Sequence, residues 1–182
     1  MQPGGDSFFV FHAIPSLQVV NFLHKGYNSR LMADKGEMEF QKILVPVAGT
    51  KADEGAIELA CKLSRSKSGR CEIYAIHVIP VERSLPLDTE DSSKIGAAES
   101  ILNNIESIAR KQGCSIETVI LQARDIGSTI IEEAKNREVD LILIGVSYKR
   151  HFGQFCLGDV VPYVLENAPC RVIIDHQLQS DQ

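Results

Sequence analysis

Three absences narrow this sequence before any motif is read. No C-x-x-C pair occurs. The five cysteines, Cys61, Cys71, Cys114, Cys156 and Cys170, are odd in number and scattered, so neither a disulfide framework nor a thiolate zinc site is signalled. They read as small core residues of a reducing cytosol. Positive charge is in deficit: 19 Lys and Arg against 24 Asp and Glu leave a net charge of -5. That excludes a general binder of nucleic acid or of acidic membranes, because nothing offsets the electrostatic cost of approaching a polyanion. A long hydrophobic run is also missing. Residues 8–20 are apolar, but His12, Pro15, Ser16 and Gln18 interrupt them, and a spanning helix needs about 20 predominantly apolar residues. The residues before them, Gln2-Pro3-Gly4-Gly5-Asp6-Ser7, carry no Lys or Arg, so the basic start of a secretory signal is absent and a cytoplasmic protein without a membrane partner is expected.

Catalytic signatures are scarce as well. There is no Walker lysine motif, no H-E-x-x-H and no paired-carboxylate pattern, so no catalytic residue and no metal ligand is assigned. Gly145-Val146-Ser147-Tyr148-Lys149 begins like a nucleophile elbow, yet Lys149 stands where that turn needs its final glycine. Ser147 reads as an ordinary loop hydroxyl. His77, in an apolar strand, reads as a core or strand-edge histidine, and Glu132-Glu133 as the wet face of a helix. A non-enzymatic protein is expected.

What is present is a regular alternation. At 182 residues and 44% apolar content, the chain can bury one core of ordinary size. Residues 43–47 form an apolar strand, and residues 52–66 carry Ile57, Ala60, Cys61 and Leu63 on one helical face. Residues 71–79 give the second strand. Ile95, Ala98, Ile101, Leu102, Ile105 and Ile108 then mark a long helix closed by Gly113. Residues 115–121 are the third strand, and Gly127 introduces a helix with Ile130, Ile131 and Ala134. Asp140 opens the fourth strand, Leu141-Ile142-Leu143-Ile144, which Gly145 ends. A basic loop over residues 146–157 follows, then Gly158 and Asp159 begin a helix carrying Val160, Val161, Val164 and Leu165. Pro169 stops that helix, and residues 171–174 resume strand. Such alternation predicts an α/β fold, a parallel sheet with helices on both faces, whose ligands bind beyond the carboxyl ends of the strands at the topological switch point.

The domain pattern covers residues 40–176, preceded by an extension over residues 1–39 and followed by a tail over residues 177–182. Because the pattern begins only after Met38, the extension reads as disordered or as a misassigned start.

Lys42-Ile43-Leu44-Val45-Pro46-Val47, Ile76-His77-Val78-Ile79, Val139-Asp140-Leu141-Ile142-Leu143-Ile144-Gly145, Leu157-Gly158 and Asn167-Ala168-Pro169-Cys170-Arg171-Val172 together resemble the universal stress protein (UspA-like) family. The resemblance implies a five-stranded parallel sheet of order 3-2-1-4-5 in a Rossmann-like, adenine nucleotide alpha hydrolase-like fold, and a homodimer. One branch of the family binds ATP through a motif of Gly, two residues, Gly, nine residues, Gly, then Ser or Thr. Gly145 and Gly158 match its first and third glycines, but Tyr148 takes the second and Asp159 the hydroxyl position. Where that branch holds the ribose with an Asp, this chain has Ala48. Three lost contacts at about 1–2 kcal/mol each would weaken ATP binding by roughly two to four orders of magnitude.

Lys149-Arg150-His151 in the same loop, with Arg124 at the end of the third strand, offers an alternative anchor for phosphate or another anion; the competing reading is a solvated loop. Main-chain groups around Val47 and Ile79 could hold an adenine edge. The candidate cofactor-binding set implied by the resemblance is Val47, Ala48, Ile79, Gly145, Tyr148, Lys149, Arg150, Gly158, Asp159 and Val160. Two functions stay open: a regulatory stress-response domain that dimerises and contacts partners with a degenerate nucleotide pocket, or a sensor of ATP, another adenine nucleotide or an anion.

Overall fold

A computed structural model of the chain describes residues 39–65, 71–84, 86, 91–147, 149–151 and 154–176, with backbone alone for 149–151 and 154–156. The extension, the tail and Tyr148 lie outside the described residues, and so does the question of where the chain's biological start falls. The elements run β1 (Lys42–Pro46), α1 (Lys51–Leu63), β2 (Glu72–Pro80), α2 (Ser92–Lys111), β3 (Glu117–Ala123), α3 (Ile126–Asn136), β4 (Leu141–Val146), β5 (Lys149–His151), β6 (Gln154–Cys156), α4 (Val160–Asn167) and β7 (Arg171–His176). Five strands form one sheet in the order β3-β2-β1-β4-β7, with every pairing parallel. This is the 3-2-1-4-5 order expected, with β7 as its fifth strand.

The apolar runs of β1 and β4 lack polar alternation because both of their faces are covered. Ile43, Val45, Leu141 and Leu143 pack with Ala56 and Ile57 of α1 and with Leu102 and Ile105 of α2. Leu44, Ile142 and Ile144 turn the other way, onto Ile130 and Ile131 of α3 and Val161 and Val164 of α4. Asp140 ties the two central strands at their start, its carboxylate accepting from the amides of Gln41 at 2.7 Å and Lys42 at 2.9 Å. No helix among the described residues is long and apolar enough to cross a membrane.

Several boundaries differ from the pattern reading. α1 stops at Leu63, where Ser64 becomes its cap and its hydroxyl donates to the Cys61 carbonyl at 2.9 Å. The third strand starts two residues late, at Glu117, because Gly113 and Cys114 are consumed in the closing turn of α2. Gly145 does not end β4: it pairs with Asp175, and Val146 pairs with His176. The connection beyond is not simply loop, since β5 and β6 make an antiparallel ribbon. Glu133 is no freely solvated residue either, as it holds Arg137 Nε at 2.9 Å.

α3 ends in the same paired-amide turn as α2, with Glu138 N on the Lys135 carbonyl and Val139 N on the Ala134 carbonyl. The residue at the left-handed position is Gly113 in one case, and in the other the exposed Glu138 at φ 53. Glu138→Gly should therefore raise stability by about 0.5–1 kcal/mol, read as a higher urea midpoint with unchanged slope; a lower midpoint would refute the strain argument.

Candidate functional site at the carboxyl ends of the strands

The chain leaves β1 toward β2 and β3 on one side and returns to β4 and β7 on the other, so the switch point lies over the end of β1. The last pair of β1 is Pro46 with Ile76, whereas β2 continues to Pro80 and β4 to Val146. Its longer neighbours thus wall a crevice whose floor is the β1–α1 loop.

That loop is heavily hydrogen-bonded. The Val47 amide donates to the Ile76 carbonyl at 2.8 Å, and His77 Nδ1 stands 2.9 Å from the Val47 carbonyl. A carbonyl only accepts, so Nδ1 carries a proton and His77 is a tie between β1 and β2. Both main-chain groups of Val47 thus make hydrogen bonds within the fold. Ile79, named with Val47 for main-chain contact with an adenine edge, has a side chain that is 4% exposed and packs into the core.

Ala48 offers only a methyl group, but its amide donates to Asp53 Oδ2 at 3.0 Å, and the Thr50 amide donates to the same oxygen at 2.7 Å. Asp53 is 2% exposed. With Thr50 it closes a capping box at the start of α1. Burial is the largest influence on this carboxyl and holds its pKa above the ordinary value, against the hydrogen bonds from Thr50, Ala48 and Gly49. Sequence reasoning passed over Asp53, although Thr50-Lys51-Ala52-Asp53 carries the spacing of a capping box.

Gly145 has a packing reason to be glycine. A Cβ there would lie 2.3 Å from the Ala52 carbonyl oxygen and 2.7 Å from its carbon, so the first turn of α1 rests directly on β4. Gly158 is glycine for a different reason: its φ of 67 is left-handed, and a Cβ would meet nothing within 4 Å. Asp159, expected to cap the following helix, makes no side-chain cap hydrogen bond and has helical φ -90 and ψ -25. A residue already wound into the helical region directs its carboxylate away from the amides that an extended cap residue would reach. Val160, half-buried, begins α4.

Residues 39–176 match the sequence profile of the Universal stress protein family. The chain belongs to that family. A universal stress protein of Methanocaldococcus jannaschii is 28% identical over 145 residues, covering 76% of this chain and 84% of the relative. Universal stress protein A homolog 2 of Coxiella burnetii is 29% identical over 139 residues, covering 74% of this chain and 93% of its own length. Among solved structures, the universal stress protein from Archaeoglobus fulgidus in complex with dAMP superposes with a TM-score of 0.59 at 23% identity, covering 76% of this chain and 99% of that one.

Within this universal stress protein domain the candidate residues divide into groups. Val47 and Ala48 lie in the β1–α1 loop at the crevice floor, Gly145 in its β4 wall and Ile79 near the end of the β2 wall. Gly158, Asp159 and Val160 stand at the start of α4. Lys149 and Arg150 belong to the ribbon, opposite Cys156 and Phe155 in register. Arg124 Nη1 donates to the Glu82 carbonyl at 3.4 Å, joining the end of β3 to the segment after β2. The rim of the stress protein crevice also includes Asp175 and His176 at the end of β7, level with Gly145 and Val146; only the parallel register reveals them. Burial holds the Asp175 pKa up and the His176 pKa down. Among the described residues no three His, Cys, Asp or Glu side chains group as a metal site.

Proposed function

We propose that this domain is a non-enzymatic regulator of the stress response in the cytoplasm, acting as a homodimer that contacts partners through a fold whose nucleotide crevice is altered. The observation that carries this reading is the Ala48–Asp53 arrangement. Ala48 presents a methyl group where the nucleotide-binding branch of the family presents a carboxylate. The nearest carboxylate, Asp53, is buried and spent on the amides of Ala48 and Thr50. The outer edge of β7 has no strand partner among the described residues, which supports self-pairing there.

A second reading, adenine nucleotide or phosphate binding, is favoured by one feature. Asp159 makes no side-chain hydrogen bond to the first amides of α4, and a Cβ on Gly158 would meet no atom of the described residues within 4 Å. The dAMP held by the Archaeoglobus fulgidus protein makes an adenine nucleotide the ligand to test. Denaturing the purified protein and chromatographing the supernatant should release no nucleotide, and millimolar ATP with magnesium should give no thermal shift. Near-stoichiometric nucleotide would overturn the first reading in favour of the second. Ala48→Asp, by restoring the carboxylate, should strengthen nucleotide binding about tenfold.

A further inference from the structure

Three thiols lie at the amino-terminal pole of the sheet, opposite the crevice, two of them from the α1–β2 region and the third from beyond α2. Cys61 lies in the last turns of α1 and is 0% exposed. Cys71 directly precedes β2, and Cys114 follows α2; both are half-buried. The closing turn of α2 places Cys114, whose amide donates to the Ala109 carbonyl at 2.9 Å after the left-handed Gly113. Ser64 joins the pair: its hydroxyl donates to the Cys61 carbonyl at 2.9 Å and stands 3.8 Å from Cys114 Sγ. Arg65 clamps the same corner by donating from Nη2 to the Gln112 carbonyl.

The thiols act on one another. Burial first, and the neighbouring Cys114 thiol second, push Cys61 up to about 12, while the Arg65 guanidinium works the other way. Burial, then the charge of Asp140, then Cys114 push Cys71 up to about 11. Cys61 and Cys71 are therefore weakened as first attackers of an oxidant at neutral pH, and Cys61 reacts only by giving up its proton as it attacks. Cys114 is half-buried, like Cys71, and is joined to Cys61 through the Ser64 hydroxyl, which contacts the Cys61 carbonyl and the Cys114 sulfur.

We propose that Cys61 and Cys114 form a thiol oxidation site that closes to a reversible intramolecular disulfide when the protein meets hydrogen peroxide. The Cys114 sulfur attacks one peroxide oxygen and the O–O bond breaks, leaving Cys114 sulfenic acid and, after uptake of the thiol proton, one water. Cys61 then attacks the sulfenic sulfur. The S–S bond forms, the S–O bond breaks, and the hydroxyl leaves as a second water with the Cys61 proton. In sum, two thiols lose two hydrogens and one peroxide becomes two waters. In a reducing compartment the bond is transient, as thiol reductants reopen it.

The test uses the reduced full chain treated with hydrogen peroxide, alkylated, and digested without reductant. The expected product is a peptide linking Cys61 to Cys114, with the intact monomer lighter by two hydrogens, both reversed by dithiothreitol. Oxidation should also raise Tm by several degrees, because the bond closes a long loop. Cys71→Ser should retain the link and Cys114→Ser should abolish it. In Cys61→Ala, Cys114 should stop at a sulfenic acid that dimedone traps. Accumulation of Cys114 sulfinic acid beside fully alkylated Cys61 in the unsubstituted protein would overturn the proposal, as would a Cys71–Cys114 link or a link only between two chains.

Discussion

Gly145→Ala is expected to destabilise the ligand-free protein by about 3 kcal/mol, the upper end of what overpacking costs. The added methyl group would sit 2.3 Å from the Ala52 carbonyl oxygen and 3.1 Å from the Asp53 amide. These are backbone atoms of the first turn of α1, so no rotamer change relieves the contact. Either α1 moves off β4, loosening Ala56, Ile57 and Ala60 from Ile43 and Leu141, or β4 bends within the sheet. Gly158→Ala is the control: it has open space around it but a left-handed φ, so it should cost about 1 kcal/mol. Urea unfolding without nucleotide measures both. If Gly145→Ala matched the unsubstituted protein in stability and altered only ligand binding, the packing account of this glycine would be wrong.

Asp53→Ala is expected to lower stability by about 2 kcal/mol, the scale of losing a helix cap together with charge-assisted hydrogen bonds to two amides. Asp53→Asn, which keeps one acceptor, should cost less. The two variants also separate hydrogen bonding from charge. Burial raises the folded-state pKa of Asp53 above its unfolded value, so in the window between the two the native state binds the proton and the unfolded chain does not. The contribution of this group is fully present below the unfolded pKa and falls as pH rises through the folded one. Acidification from pH 7 toward pH 4 should therefore shift the stability difference between the unsubstituted protein and Asp53→Asn in favour of the former. A shift in the opposite direction would mean that the amides of Ala48, Gly49 and Thr50 outweigh burial.

The fold was legible because hydrophobic periodicity depends on neighbours along the chain. Ile43-Leu44-Val45 and Leu141-Ile142-Leu143 are all 0% exposed, and a run buried on both faces has no polar residue to disguise it. The edge strand was harder to place. β3 is half-buried through Thr118 to Ala123, so its pattern is blurred and its start was set by the capping turn before it rather than by its own residues.

The site was legible only in part. Glycine spacing located Gly145 and Gly158 beside a pocket expected to be degenerate, but not why each is glycine: one is set by a helix lying against a strand and the other by a left-handed turn. Asp159 had the composition of a cap without the backbone angles of one. Asp53 was readable only as the capping-box partner of Thr50; that its carboxylate also takes the Ala48 amide is a feature of the folded loop.

Local chemistry written along the chain was enough to determine the parallel sheet, its strand order through the family resemblance, the crevice at the strand ends and the missing carboxylate at Ala48. Which groups are free to act there was decided only in three dimensions. Val47 is engaged by Ile76 and His77, Ala48 by Asp53, and Gly145 by Ala52. The same holds at the opposite pole, where five scattered cysteines gave no spacing signal and three of them converge. Parallel strands joined by helices return the chain to the same pole every few tens of residues, so Cys61, Cys71 and Cys114 become neighbours through topology, which no local pattern records.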